Sequence, residues 1–143
     1  MKSAVDTNVI VHLVGSEPSI ARVAHELLRE ARRTGAIVIS GVVYSELLAH
    51  PRMTPSILEH LLSETDIDAD FETGHKIWHE AGLRYSRYSA RRRKSGAGAP
   101  RRLLADFIIG AHALLRADRL ITFDTAGYRH DFPELQIAPG KAQ

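Results

Sequence analysis

Apolar residues recur along the chain with two different spacings, and segments of the two kinds alternate. Continuous apolar runs at 3–5, 36–40 and 120–123 have the length of buried strands. Between them, in segments such as 20–31, apolar residues recur every three or four positions, as in helices with one buried face. Weaker strands are predicted around 65–69 and 136–138. Strands that alternate with helices predict an α/β fold with a mainly parallel sheet.

Capping residues predict several helix boundaries. Ser16, followed by Glu17 and Pro18, favours a helix start, and Gly35 favours a helix stop. Thr54 followed by Pro55 has the pattern of an N-cap and a first helical residue. Further helices are predicted at 42–49, 71–85 and 102–116.

The composition narrows the class of protein. A chain of 143 residues fits one domain, since domains cluster at about 100–150 residues. The chain has no cysteine, which excludes disulfides and thiolate metal sites and fits a reducing cytoplasm. No apolar run approaches the roughly 20 residues that a membrane span needs. Asp6 and Asn8 interrupt the apolar start, so we expect a cytoplasmic protein without an export signal.

The net charge is only +2, but its distribution is uneven. The segment 81–105 contains eight Arg and Lys residues and no acidic residue, whereas the remainder of the chain is acidic. Such a segment favours either a polyanionic or acidic partner or a solvated loop, and the charge pattern leaves both open.

Four acidic residues stand where a solvated surface residue is not expected. Asp6 follows the first strand and Asp124 follows the strand at 120–123, although either could be an ordinary cap or turn residue. Glu46 lies on an otherwise apolar helix face. Asp106 lies near the start of a helix that is apolar almost all round, which predicts burial. An unpaired buried carboxylate is costly, so Asp106 is expected to be paired or to bind a cation.

Acids at strand ends and on buried helix faces can converge at one edge of a parallel sheet, where ligands bind in such folds. Carboxylates that lie so close together repel one another, and a divalent cation removes that conflict. Ligation by oxygen alone favours Mg²⁺ or Mn²⁺ over zinc. Such ions support phosphodiester hydrolysis, and a neighbouring basic segment would bind a nucleic-acid backbone.

The segments VDTNVIV with Asp6, SELL with Glu46, LLADFIIGAHAL with Asp106 and LITFD with Asp124 together resemble the PIN domain. Most closely they resemble the VapC toxins of toxin–antitoxin pairs, in order and over nearly the whole chain. The resemblance implies a single domain over 1–143, a three-layer α/β/α sandwich around a mainly parallel sheet of about five strands. It also implies a Mg²⁺- or Mn²⁺-dependent endoribonuclease of RNA.

The resemblance further implies roles for individual residues. Asp6 and Asp106 correspond to the usual direct metal ligands, Glu46 completes the site, and Asp124 acts through water. Polar residues at supporting positions are Thr7, Asn8 and Thr122. The implied partners are a cognate antitoxin and a second copy of the chain in a homodimer or larger complex.

The chain departs from a minimal toxin in a basic, Gly-rich loop at about 91–102. Its candidate RNA-binding residues are Arg91, Arg92, Arg93, Lys94, Arg101 and Arg102. An antitoxin contact or a disordered insertion are alternatives for this loop. Two other functions are weighed against RNA cleavage: nucleic-acid binding by 84–102 without catalysis, and DNA cleavage by the same acids.

Overall fold

A computed structural model describes residues 1–140 and contains a five-stranded, wholly parallel sheet within them. The strand order across the sheet is β3-β2-β1-β4-β5, so the first strand lies at the centre. The strands are β1 (Ser3–Val5), β2 (Ile37–Ser40), β3 (Ile67–Asp70), β4 (Arg119–Ile121) and β5 (Gln136–Ala138). The predicted α/β class and number of strands are confirmed.

Seven helices within residues 1–140 flank the sheet and complete the three-layer α/β/α sandwich. They are α1 (Thr7–Leu13), α2 (Pro18–Thr34), α3 (Gly41–Ala49), α4 (Pro55–Thr65), α5 (His75–Lys94), α6 (Leu104–Arg116) and α7 (Thr125–Asp131). None of these helices is both long and apolar enough to span a membrane.

Side-chain caps fix where the chain turns from a strand into a helix at the carboxyl edge of the sheet. The Asp6 carboxylate caps α1, and the Ser40 hydroxyl caps α3 by accepting a hydrogen bond from the backbone N–H of Val43 at 3.3 Å. Thr54 caps α4, with Pro55 at its first position as the sequence predicts. Since β1 and β2 both pass directly into helices, their following residues lie at one edge of the sheet.

The core consists of the sheet and the faces of the helices that pack on it. Every residue of α6 from 107 to 113 is buried, because this helix packs closely against α5 and the sheet. Gly110 allows the ring of Phe132 to approach, since an added Cβ would lie 2.4 Å from that ring. The start of α6 is thereby held at the same edge of the sheet as the end of β1.

The sequence pattern missed two short helices and shortened a long one. The residues after Asp6 form α1 and those after Asp124 form α7, and a full helix was predicted at neither place. The α2 helix begins at Pro18 with Glu17 rather than Ser16 as its N-cap. The α5 helix continues to Lys94, since Arg and Lys are good helix formers, so the irregular connection begins only at Ser95.

Candidate active site

Asp6 lies at the end of β1, and only 6% of the residue is exposed. Its Oδ1 accepts a hydrogen bond from the backbone N–H of Thr7 at 2.8 Å. Its Oδ2 accepts one from the hydroxyl of Thr122, also at 2.8 Å. An ionised carboxylate has about four acceptor positions, so acceptor capacity remains for a further donor or a cation.

The electrostatic environment of Asp6 disfavours its charge. Burial is the largest effect, and it raises the pKa of Asp6 to about 6. The hydrogen bonds from Thr122 and Thr7 oppose the rise in pKa. The negative charges of Asp106 and Glu46 add to the rise, which places both carboxylates near Asp6. Three acids from β1, α3 and α6 therefore converge at one edge of the sheet.

Glu46 reaches this site from α3 and is held by a side chain of α1. The Thr7 hydroxyl donates a hydrogen bond to Glu46 Oε1 at 2.6 Å. The residue is half-buried. Thr7 thus contacts two of the acids, one through its backbone N–H and one through its hydroxyl.

Asn8 and Thr122 join the ends of β1 and β4 behind the acids. The Asn8 side-chain amide donates weakly to the Thr122 hydroxyl oxygen at 3.5 Å and accepts from the Phe123 backbone N–H at 3.2 Å. The Thr122 hydroxyl also accepts from the backbone N–H of Asp124 at 3.0 Å. The three polar residues singled out in the sequence, Thr7, Asn8 and Thr122, therefore all contact an acid or its neighbour.

The expectation that Asp106 is fully buried is wrong: the residue is half-buried in the first turn of α6. Its Oδ2 accepts a hydrogen bond from the backbone N–H of Leu103 at 2.9 Å, one of the free N–H groups at the helix start. The apolar pattern of α6 predicted burial correctly from Phe107 onwards but not at this first turn. Among the four acids, Asp6 is the buried one.

Asp124 differs from the other acids because it is exposed and lies beside a cation. Its Oδ2 is 3.3 Å from Arg102 Nη2. Arg102 also donates through Nη1 to Asp131 Oδ2 at 2.7 Å. The Asp131 side chain is 4% exposed and forms a further ion pair with Arg91. Two carboxylates and two guanidinium groups thus alternate on this side of the site.

Arg102 is packed into the protein, with 12% of its side chain exposed. Its Cζ lies 4.5 Å from the ring centroid of Tyr128 and 5.3 Å from that of Phe107. Burial lowers the pKa of Arg102, but the Tyr128 hydroxyl, Asp131 and Asp124 outweigh this effect and the net shift is upward. The guanidinium is therefore charged at neutral pH.

Sequence reasoning missed Tyr128, whose hydroxyl is buried near the acids. Burial raises the pKa of Tyr128 well above its usual value, and the charges of Asp6 and Asp106 raise it further. The Tyr128 hydroxyl and two nitrogens of Arg102, Nε and Nη2, are buried without a hydrogen-bond partner. The signal in the sequence was Asp124 as the N-cap of a helix that carries an aromatic residue in its first turns.

The basic segment divides into engaged and free side chains. Arg91 and Arg102 pair with acids, and the Arg92 guanidinium donates to the carbonyl oxygens of Ala97 and Ala99. The exposed members, for which no side-chain bond is seen among residues 1–140, are Arg87, Arg93, Lys94 and Arg101. The Tyr88 hydroxyl accepts the backbone N–H groups of both Arg101 and Arg102 at 3.0 Å, which anchors the end of the loop.

The acids match a hard divalent ion in kind, since all of them offer carboxylate oxygens. Within residues 1–140, no three Asp, Glu or His side chains are spaced so that they would hold a metal ion as they stand. The burial and the neighbouring negative charges that raise the pKa of Asp6 do fit a site that receives a cation.

In parallel α/β folds ligands bind at the carboxyl edge of the strands, which is where this chain places its carboxylates. The family model for the PIN domain matches residues 4–133. The chain belongs to the PIN domain family, whose members are nucleases. Comparison with curated proteins finds no match.

Solved structures of toxin–antitoxin complexes share this fold. The chain is similar to one in VapBC-1 from nontypeable Haemophilus influenzae, with a TM-score of 0.60, 22% identity and 96% coverage of both chains. It is also similar to one in VapBC2 from Rickettsia felis bound to a promoter DNA fragment, with a TM-score of 0.59 and 19% identity. That match covers 96% of this chain and 97% of the other. At these identities the likeness shows the fold.

Proposed function

We propose that this protein is a Mg²⁺- or Mn²⁺-dependent endoribonuclease of the VapC type. The observation that carries the proposal is the buried Asp6 carboxylate, whose pKa is raised to about 6 by burial and by Asp106 and Glu46. A structural cap would not need two further carboxylates beside it. Perturbed acids that cluster at the ligand-binding edge of a parallel sheet are typical of a catalytic site.

In this proposal Asp6 and Asp106 hold the ion directly, and Glu46 completes the site. When bound, the ion activates a water molecule and stabilises negative charge on the phosphoryl group. Thr7 and Thr122 orient the Glu46 and Asp6 carboxylates through their hydroxyls. Asp124 acts from the rim, where its exposed carboxylate orients water.

The substrate is proposed to approach along a groove beside Asp124. An open groove of about 470 Å³ lies between the end of α5 and α7 and reaches Arg102. Its lining includes Tyr88, Arg91, Arg92 and His130. The exposed cations of the same segment, Arg93, Lys94 and Arg101, would attract the RNA backbone, with affinity that falls as salt rises.

The fold likeness to VapBC complexes supports a cognate antitoxin as the partner, and we propose that the chain is a homodimer in that complex. Induced alone in a bacterial host, the chain should slow growth, and the Asp6→Asn variant should not. Co-expression of the product of an adjacent short reading frame should restore growth and should co-purify with the chain. Full growth with the wild-type chain alone argues against a toxin.

The nuclease proposal is tested on purified protein with labelled single-stranded RNA and with DNA of the same sequence. RNA should be cleaved with Mg²⁺ or Mn²⁺, and the cleavage should stop with chelator. Asp6→Asn and Asp106→Asn should each reduce the rate by about 10³-fold or more, the size seen when a principal electrostatic contact in a site is removed.

Arg22→Gln is a matched control, because Arg22 is exposed on α2, away from the acids. The Arg22→Gln protein should cleave RNA at the wild-type rate. Cleavage that survives Asp6→Asn or Asp106→Asn refutes the assignment. Salt-sensitive RNA binding without cleavage would instead indicate a binding protein, and preferential cleavage of the DNA strand would indicate a DNA nuclease.

A further inference from the structure

A second hollow opens between α1 and the first turns of α2. It has a volume of about 360 Å³ and is lined by His12, Ser19, Ile20, Val23 and Phe123. It shares no lining residue with the groove between α5 and α7. That groove is lined by three arginines, whereas within residues 1–140 the lining of this hollow includes no Arg, Lys, Asp or Glu. The hollow therefore suits an uncharged group with apolar surface.

Phe123 connects this hollow to the acids. It lies between Thr122, whose hydroxyl donates to Asp6 Oδ2 at 2.8 Å, and Asp124. The backbone N–H of Phe123 donates to Asn8 Oδ1 at 3.2 Å, which fixes the chain just beyond the end of β4. A group that contacts the Phe123 ring is therefore held beside the candidate active site.

The Phe123 ring is held at its edge by an imidazole from α1. The ring centroids of His12 and Phe123 are 5.5 Å apart, and their planes meet at 64°. His12 follows Asn8 by one helical turn, so one face of α1 contacts both the backbone and the ring of Phe123. Phe123 is only half-buried, and Val23, which is 49% exposed, adds apolar surface from α2. A ring that is fixed in this way and open to solvent is a platform on which a planar base can stack.

An RNA whose phosphodiester lies at the acids brings its adjoining bases to their immediate neighbourhood. Proteins recognise single-stranded RNA mainly through unstacked bases that lie on aromatic side chains. The charged phosphates fit the arginine-lined groove, whereas a base fits the uncharged hollow at Phe123. The lining also includes the Ser19 hydroxyl and the His12 imidazole, which can form hydrogen bonds with the edge of a base.

We propose that this hollow binds one unstacked base of the RNA beside the cleaved phosphodiester, with Phe123 as the stacking platform. The inference rests on the proposed cleavage of RNA. Phe123 does not touch the reacting atoms, so it acts by binding and orienting the substrate. Because a base must leave its stack to enter the hollow, the site favours single-stranded RNA over a duplex.

The first experiment measures the affinity for a short labelled single-stranded RNA in the Asp6→Asn background, where the RNA remains intact. Phe123→Leu keeps an apolar side chain but removes the ring, so binding should weaken by about fivefold or more, the lower end of the loss for one stacked base. The slope of affinity against salt should not change, because no charge is removed. Phe123→Tyr should recover binding to within about twofold, since it restores a ring. Leu115→Ala, which shortens an exposed apolar side chain near the end of α6, is the control and should bind like the parent.

The second experiment uses the same RNA with one base at a time replaced by an abasic sugar. At one position, the abasic RNA should bind the parent protein about as weakly as the intact RNA binds the Phe123→Leu protein. Combining the two changes should cost no more affinity than either alone, because both remove the same contact. A duplex of the same sequence should bind more weakly than the single strand.

Three outcomes overturn the inference and leave the proposed nuclease intact, since metal-dependent cleavage is measured separately. If no abasic position weakens binding to the parent protein, no base is held, and this result does not depend on the folding of a Phe123 variant. Additive losses for the abasic RNA and Phe123→Leu would show that they act at different places. If Phe123→Leu weakens binding to the product of the adjacent reading frame but not to RNA, the hollow is a protein-docking site. Absence of both RNA binding and cleavage in the wild-type chain overturns the proposed function and the inference with it.

Discussion

The two sides of the acidic site handle the same chemical problem differently. On the Asp6 side, burial raises the pKa of Asp6 to about 6, the charges of Asp106 and Glu46 add to the rise, and within residues 1–140 none of these three acids forms an ion pair. On the Asp124 side, carboxylates alternate with the guanidinium groups of Arg91 and Arg102. Asp6 thus keeps an electrostatic penalty that a bound cation would relieve, whereas Asp124 already lies 3.3 Å from a guanidinium nitrogen of Arg102. The difference indicates that the residues around Asp6 serve the proposed catalysis, whereas those around Asp124 also hold the fold together.

The largest expected effect comes from neutralising one acid on each side of the site, Asp6 on one and Asp124 on the other. Asp6→Asn should reduce metal-dependent RNA cleavage by about 10³-fold, as loss of a principal electrostatic contact does. Asp124→Asn should reduce it by only about tenfold, since Asp124 orients water from the rim. Single-turnover rates at saturating Mn²⁺ measure both effects. Equal losses in the two variants would show that the sides are not distinct.

Stability without metal should move in the direction opposite to activity. A raised pKa means that the folded protein prefers protonated Asp6, so the favourable contribution is present below about pH 4 and is lost as the pH rises through about 6. In chelator at pH 8, Asp6→Asn should therefore raise the free energy of unfolding by about 1–2 kcal/mol, below the full value of the pKa shift because Asn loses one acceptor oxygen.

This gain should shrink as the pH falls and vanish near pH 4, which urea unfolding at several pH values would follow. Saturating Mn²⁺ should stabilise the wild-type chain and not the variant, because the ion binds only the folded wild-type site. An Asp6→Asn protein that is less stable than wild type at pH 8 would contradict the electrostatic account of the site.

A smaller effect is expected when the Asp124 side is displaced without any change of charge. Gly127→Ala places a Cβ against Asp124 and Arg102, at 2.9 and 3.0 Å, and the two side chains must move apart. Cleavage should fall by about fivefold, since misplacement of a positioned group weakens catalysis. Gly82→Ala on α5 is the control, because nothing lies within 4 Å of its added Cβ. That control should keep full activity and gain about 0.5–1 kcal/mol of stability. Full activity in Gly127→Ala would show that the Asp124–Arg102 contact is dispensable.

The sequence predicted the parts of the fold and site that depend on local pattern. Apolar runs located the strands, and the positions of Asp6 and Asp124 at strand ends followed from them. The PIN family was correctly predicted from four motifs in register, and the family model confirms it. The predicted burial of Asp106 was wrong because the apolar pattern of α6 does not distinguish its first turn, which faces the site, from the turns that pack inside.

The rest could not be predicted because it depends on pairs distant in the sequence. Arg102 belongs to a basic run and was interpreted as an RNA contact, yet its partners Asp124 and Asp131 lie 22 and 29 residues further along the chain. The α7 helix has seven residues and one buried side chain, Tyr128, too few for a periodic pattern. The uneven distribution of charge identified the basic segment. Only the folded structure distinguishes its basic side chains that form ion pairs from those that are exposed and unpaired within residues 1–140.

The smallest expected effect comes from replacing a free basic residue rather than a paired one. It concerns RNA affinity and not the rate of cleavage. In an Asp6→Asn background, where RNA remains intact, Arg101→Ala should weaken RNA binding by about twofold to threefold. It should also reduce the slope of affinity against salt by about one, as loss of a phosphate contact does. Arg91→Ala should leave that slope unchanged, because Arg91 pairs with Asp131, and should lower stability instead. If Arg91→Ala and Arg101→Ala change the salt slope equally, the ion pair of Arg91 with Asp131 does not prevent Arg91 from binding RNA.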